Sequence, residues 1–244
     1  MLSSLFAGAV VFAAGLVRGA TGFGFALLAA IGLSLVMPVA QVTPVVLLIE
    51  IVLSALILRE GGFGALDRRR AVPLMAGGVL GVLGGYALVS GLPGDAVAVG
   101  LNLAVLASAA VTLLRVETAG LDTRGWAVAI GALVGALIAA FAVGGPLAVV
   151  WLLASGAAPA AIRATVSVFF GMTDSMSIGV RLLDGSFPAE ALVSALWLLP
   201  LAGLGTLAGG ALFARIDPAH WRRAVAAFLV AAAVLNLLRT LSTS

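Results

Sequence analysis

The sequence predicts an all-α polytopic membrane protein made of two inverted repeats, each a glycine-broken helical hairpin followed by three transmembrane helices. Three observations carry that prediction: an apolar composition, two apolar stretches too long for one crossing, and a lopsided distribution of arginine. The chain is 63% hydrophobic and 9% charged, with a mean hydropathy of +1.25, which excludes an ordinary soluble domain. Apolar runs of about 18 residues or more, enough to cross a bilayer, recur from end to end. The start, MLSSLFAGAV, lacks a positive n-region, so no signal peptide is expected.

In chain order the apolar segments read 2–37, 41–58, 72–90, 95–115, 125–155, 160–181, 188–213 and 221–240. Pro38, Pro44, Pro73, Pro93, Pro159, Pro188 and Pro218 fall near their boundaries, as helix punctuation should. Residues 2–37 as one helix would reach roughly 54 Å, against roughly 30 Å of hydrocarbon. That segment is therefore expected to fold into two arms that turn near Arg18–Gly22. Residues 125–155 are expected to do the same near Ala142–Pro146, with a shorter second arm. Each half, 1–118 and 119–244, then reads as a hairpin followed by three helices.

Arginine placement separates this reading from one through-going broken helix per half. All 13 basic residues are arginine. With hairpins each half crosses an odd number of times, so the second half is inverted. Arg59, Arg68, Arg69, Arg70, Arg115, Arg124, Arg163, Arg215, Arg222 and Arg223 then share one side. Only Arg181 and Arg239 fall opposite, and Arg18 lies inside the first hairpin. The positive-inside rule prefers this arrangement and puts both termini outside. Aligning Gly15 with Gly135 also brings Gly24 onto Gly144 and Pro38 to within one residue of the counterpart of Pro159.

Several function classes drop out. The absence of cysteine excludes disulfides, thiolate metal sites and cysteine nucleophiles. An intramembrane serine hydrolase needs a base, and the one histidine, His220, sits at a membrane edge with Asp217 and Trp221. Most of the arginines lie at helix ends, the net charge of +3 says little about nucleic acid, and no nucleic-acid partner is expected. No metal or cofactor is expected, the chain is not expected to be an enzyme, and the composition leaves a homo-oligomer open.

The informative motifs are GLVRGATGFGFALL (15–28), followed by a proline-ended helix, and GALVGALIAAFAVGGPLAVV (131–150), followed by AIRAT (161–165). Together they resemble the TauE/SafE family of sulfite and organosulfonate exporters, over essentially the whole chain. The resemblance implies an inner-membrane carrier of two repeats that exports small sulfur oxyanions or organic sulfonates. The chain departs from the family pattern at Phe25, where many relatives carry glycine, and just before Ala142.

The residues themselves suit an anion. Non-helical backbone survives at membrane depth only where it lines a protein-enclosed cavity, and paired glycine-broken segments in two halves point to a carrier's binding site. Each second arm begins at a glycine cluster, near Phe23 and near Pro146, and a helix start offers unpaired N–H groups with partial positive charge. Gly22, Gly24, Gly144 and Gly145 let backbone approach a ligand closely. Pro146 suits a first helical turn. Arg18 adds a full charge and forked donors. Thr21, and Thr165 with Ser167 one helix further on in the second half, offer hydroxyls. Helix packing competes as the reading of Gly22–Gly24 and Gly144–Gly145, snorkelling for Arg18, and bonding to their own helix for Thr165 and Ser167. Gly15/Gly19, Gly81/Gly85, Gly131/Gly135 and Gly205/Gly209 read as helix-packing pairs, and Asn102 and Asn236 as ties between helices.

Glu50 and Asp174 sit inside apolar helices. Each would cost on the order of 3 kcal/mol as an unpaired mid-bilayer charge, so each is expected to be protonated, paired or wetted. Both are candidates for ion coupling. Asp174 is the stronger, about 13 Å along its helix from Thr165 and so near the anion site but separate from it. Thr173, Ser175 and Ser177 suggest a watered face there. A carrier for another small organic metabolite or carboxylate, and a purely structural membrane subunit, are the alternatives.

Overall fold

The computed structural model describes residues 2–59, 62–92 and 122–215 continuously, with positions 96, 99, 103, 217 and 220 besides. The segments expected at 95–115 and 221–240, with Asn102, Asn236, Arg115, Arg222, Arg223 and Arg239, lie almost wholly or wholly outside these residues.

The described residues form eight α-helices and no strand: α1 (Leu2–Thr21), α2 (Phe25–Leu33), α3 (Val39–Arg59), α4 (Arg68–Val89), α5 (Arg124–Phe141), α6 (Gly145–Ala154), α7 (Pro159–Leu183) and α8 (Ala189–Phe213). A short 3₁₀ turn, Gly62–Ala65, leads into α4. Helices α1, α3, α4, α5, α7 and α8 are long and apolar enough to cross a membrane. With 9 and 10 residues, α2 and α6 reach only about 14 Å, half the hydrocarbon thickness. The two over-long segments therefore break as expected, and their second arms turn back inside the protein. Antiparallel return is visible in the first hairpin, where a Cβ on Gly32 of α2 would come within 2.4 Å of Val10 on α1.

Helix starts follow local chemistry. Asp67 and Thr123 cap α4 and α5 by accepting from the Arg70 and Trp126 amides at 3.4 and 3.3 Å, and Pro146 and Pro159 sit in the first turns of α6 and α7. Two of these prolines stand in the second turn of a helix rather than at its first residue. Pro44 and Pro73 lie inside α3 and α4, as Pro200 does inside α8. A membrane helix carries an interior proline because neighbouring helices and side chains satisfy the freed carbonyl.

Two helix pairs make the most extensive contacts, α4 with α5 and α1 with α8. Both are glycine seams. A Cβ on Gly15 or Gly19 would stand 2.3 or 2.0 Å from the carbonyl oxygens of Ala202 and Thr206, and Gly205 and Gly209 face the Phe12 and Leu16 carbonyls at 2.2 and 2.1 Å. Likewise Gly77 and Gly81 face Val128 and Ala132 oxygens at 2.0 Å, while Gly131 and Gly135 face those of Leu74 and Gly78 at 2.0 and 2.5 Å. Backbone lies on backbone, which is how small residues bring membrane helices together. Between the seams, α3 packs on α7 and α8, and α7 also on α4. Exchanging α1 with α5, α3 with α7 and α4 with α8 leaves this set of pairs unchanged.

Polar clusters mark the two ends of the bundle. At one end Arg70 donates to the Asp122 carboxylate at 3.0 and 2.7 Å and to the Ser155 carbonyl at 2.7 Å, and also pairs with Asp67. The second hairpin thus leaves from and returns to the same end. At the other end the Tyr86 hydroxyl donates to Asp184 and lies 2.8 Å from the Ser186 hydroxyl, joining the ends of α4 and α7. Asp184 is exposed, and hydrogen bonds from Tyr86 and Ser186 hold its carboxyl below the usual carboxylate range.

Candidate functional site

Both hairpins break over matching residues, 22–24 and 142–144. In the first, Gly22 and Gly24 take φ of 87° and 90°, the left-handed region that glycine enters without penalty. The Thr21 hydroxyl shapes this turn: it lies 2.8 Å from the Val17 and Phe23 carbonyls and accepts the Phe23 amide at 3.3 Å. In the second, Ala142 holds the position matching Gly22, also left-handed at φ 55°, and its amide donates to the Ile138 carbonyl as that of Gly22 donates to Arg18.

The tips meet. A Cβ on Gly145 would lie 3.7 Å from that of Phe23 and 3.3 Å from the Phe170 ring. They enclose a cavity of about 20 Å³, whose wall includes Gly24, Gly144, Gly145, Glu50 of α3 and Asp174 of α7. That is space for about one water molecule. The starts of α2 and α6 both reach this wall, through Gly24 and Ala26 and through Gly145 and Pro146, so two helix N-termini address one small space. The depth is central, because Glu50 and Asp174 both sit near the middle of their helices.

Arg18 lies one side chain behind this wall, fully buried at 0% exposure. Its guanidinium donates to the Ser54 hydroxyl at 2.7 Å and to the Gly22 carbonyl. It stands over the Phe170 ring at 5.0 Å, and its Nε lies 3.9 Å from a Glu50 oxygen. That distance is an ion pair without a hydrogen bond, and Nε has no hydrogen-bond partner. One oxygen of Asp174, itself 1% exposed, has none either. Asp174 interacts electrostatically with both Glu50 and Arg18.

Not all the residues chosen from sequence converge here. Gly24, Gly144, Gly145, Glu50 and Asp174 share the cavity wall, with Arg18 behind it. Gly22 packs instead against α7, where a Cβ would reach 2.8 Å from the Arg163 Cα, and Thr21 is spent on the turn. Thr165 and Ser167 are fully buried on α7 away from the wall, and their hydroxyls bond to nothing. The expected separation of Asp174 from the glycine tips is overturned: α7 passes the tips at Phe170 and Asp174, beyond Thr165. The hydroxyls around Asp174 are taken up by their own helix. Thr173 and Ser177 are buried and, like Ser175, donate to carbonyls of their own helix at 2.9, 2.7 and 2.6 Å.

Ser54 was missed from sequence, yet a signal existed. The offset that places Gly15 on Gly135 also places Glu50 on Phe170 and Ser54 on Asp174. The four groups around Arg18 thus form two pairs related by that offset, each pair one helical turn apart. Among the described residues no cluster of three or more His, Cys, Asp or Glu could hold a metal. His220 lies exposed beside Asp217 at 3.6 Å.

The family model described as "Sulfite exporter TauE/SafE" matches residues 7–236. No curated protein and no solved structure matches the chain.

Proposed function

We propose that this chain, which belongs to the TauE/SafE family of sulfite exporters and is a multi-pass membrane protein, moves a small sulfur oxyanion or organosulfonate outward across the bacterial inner membrane. The supporting observation is the meeting of two glycine-capped helix N-termini on one buried cavity, with a guanidinium behind it. Backbone N–H groups and helix dipoles favour a compact anion, and glycine leaves room for it to approach. The cavity of about 20 Å³ is too small for a sulfonate, so this is a closed state and transport requires the tips to part. In this reading the second repeat is inverted relative to the first, both termini are periplasmic, and Arg18, Gly24, Gly144 and Gly145 contact substrate. Thr21 and Gly22 shape the first tip, and Glu50 and Asp174 couple movement to an ion gradient.

Purified protein in vesicles, offered sulfite, thiosulfate, sulfoacetate, taurine and plain carboxylates, tests the substrate class. Preference for a carboxylate would replace the sulfur-anion reading. Arg18→Lys should weaken binding, because a point charge replaces a fork, and Gly24→Leu or Gly144→Leu should block it. Undiminished affinity in a folded Arg18→Ala variant would remove Arg18 from the site. Full pH-gradient dependence retained in both Glu50→Gln and Asp174→Asn would exclude coupling through these carboxylates.

A further inference from the structure

Glu50 occupies a position in which a substrate anion would be expected. Its carboxylate lies 3.9 Å from the one Arg18 nitrogen that lacks a hydrogen-bond partner. It also faces the backbone N–H of Ala26, in the first turn of α2, where a helix presents unpaired donors. Glu50 is 4% exposed and forms part of the cavity wall, whereas Arg18 does not. Any anion entering between the tips therefore meets the Glu50 carboxylate before it meets the guanidinium.

We propose that Glu50 is a tethered stand-in for the transported anion, filling the oxyanion position between Arg18 and the α2 N-terminus in the closed state and vacating it when substrate binds. The inference rests on the anion-site reading above. Three features of the cluster support it. A carboxylate and a sulfonate present similar oxygen acceptors to a guanidinium edge and a backbone amide. The remaining volume, about 20 Å³, cannot hold a sulfonate beside Glu50, so substrate needs the space that the carboxylate fills. The charged groups facing Glu50 are Arg18 from α1 and Asp174 from α7. An added anion would thus have to share the Arg18 guanidinium with Glu50 unless Glu50 left.

The arrangement is one-sided. The repeat counterpart of Glu50 is Phe170, whose ring stacks on the same guanidinium at 5.0 Å. One repeat supplies the competing anion and the other supplies a neutral wall that stays in place.

The test uses the full-length protein in detergent or nanodiscs, with sulfite and formate as probes. Glu50→Gln keeps the shape and removes the charge. If the stand-in holds the site in nine of ten molecules, deleting it raises sulfite affinity about tenfold. Glu50→Ala vacates the position for a small free carboxylate, so formate should raise that variant's melting temperature and leave the native protein's unchanged. Sulfite affinity in Glu50→Gln equal to or below the native value overturns the proposal, and so does absence of a formate shift in folded Glu50→Ala. If sulfite binds to no form of the protein while the formate shift is present, the stand-in survives and the sulfur-anion reading fails.

Discussion

Replacing Gly81 by alanine tests whether the hairpins are held by backbone-to-backbone seams. The added Cβ would stand 2.0 Å from the Ala132 carbonyl oxygen and within 2.9 Å of two further backbone atoms of that residue. Ordinary contact begins near 3.4 Å, so α4 and α5 must separate locally by about 1.4 Å. Gaps of 0.5–1 Å already forfeit about a quarter to a half of a dispersion contact, and overpacking of this kind costs about 1–3 kcal/mol. Gly84, one turn away on an exposed side of α4, has nothing within 4 Å of its would-be Cβ among the described residues. Gly84→Ala should therefore fall between neutral and about 1 kcal/mol more stable, the difference in helix propensity. Thermal unfolding of both variants in one detergent, followed by circular dichroism and monodispersity, gives the comparison. Adding Ala132→Gly should not rescue Gly81→Ala, because the obstruction is main chain. Equal stability of the Gly81 and Gly84 variants, or rescue by Ala132→Gly, would refute the seam geometry.

Ala142→Gly should stabilise the protein by about 1 kcal/mol, since a non-glycine residue at φ 55° carries left-handed strain; Ala142→Val should do the opposite, and a reversed order in thermal unfolding would count against the turn. Tyr86→Phe removes the hydroxyl that helps hold the Asp184 carboxyl below its usual range. Because that group is depressed in the folded state, its contribution is present above the unfolded value of about 3.9 and lost as pH falls through the lower folded one. Native and Tyr86→Phe melting temperatures should therefore differ near neutral pH and converge in strong acid; a gap that widens on acidification would contradict this. A reporter fused after Ser244 should be active on the periplasmic side, and cytoplasmic activity would overturn the inverted-repeat topology.

Sequence alone determined the features set by local physics. A helix cannot lengthen past the membrane it crosses, and glycine marks where it breaks, so both hairpins and the starts of their second arms were legible in residues 12–38 and 141–150. The small-xxx-small pairs announced the seams because close backbone approach demands glycine regardless of partner. Pro44 and Pro73 marked the starts of their helices only approximately, since a membrane helix tolerates an interior proline where a neighbour satisfies the freed carbonyl. Tertiary structure alone decided which side chains share the cavity. Arg18 gains Ser54 and Glu50 from α3 and Phe170 from α7 only because those helices cross behind the tips, at positions remote in the chain. Helical period set the face of Thr165 and of Asp174, but only the depth at which α7 passes the tips brought Asp174 to the wall and left Thr165 behind. Burial of a charge is a property of the whole assembly, and so the partners of Arg18 could not be read from its neighbours in sequence.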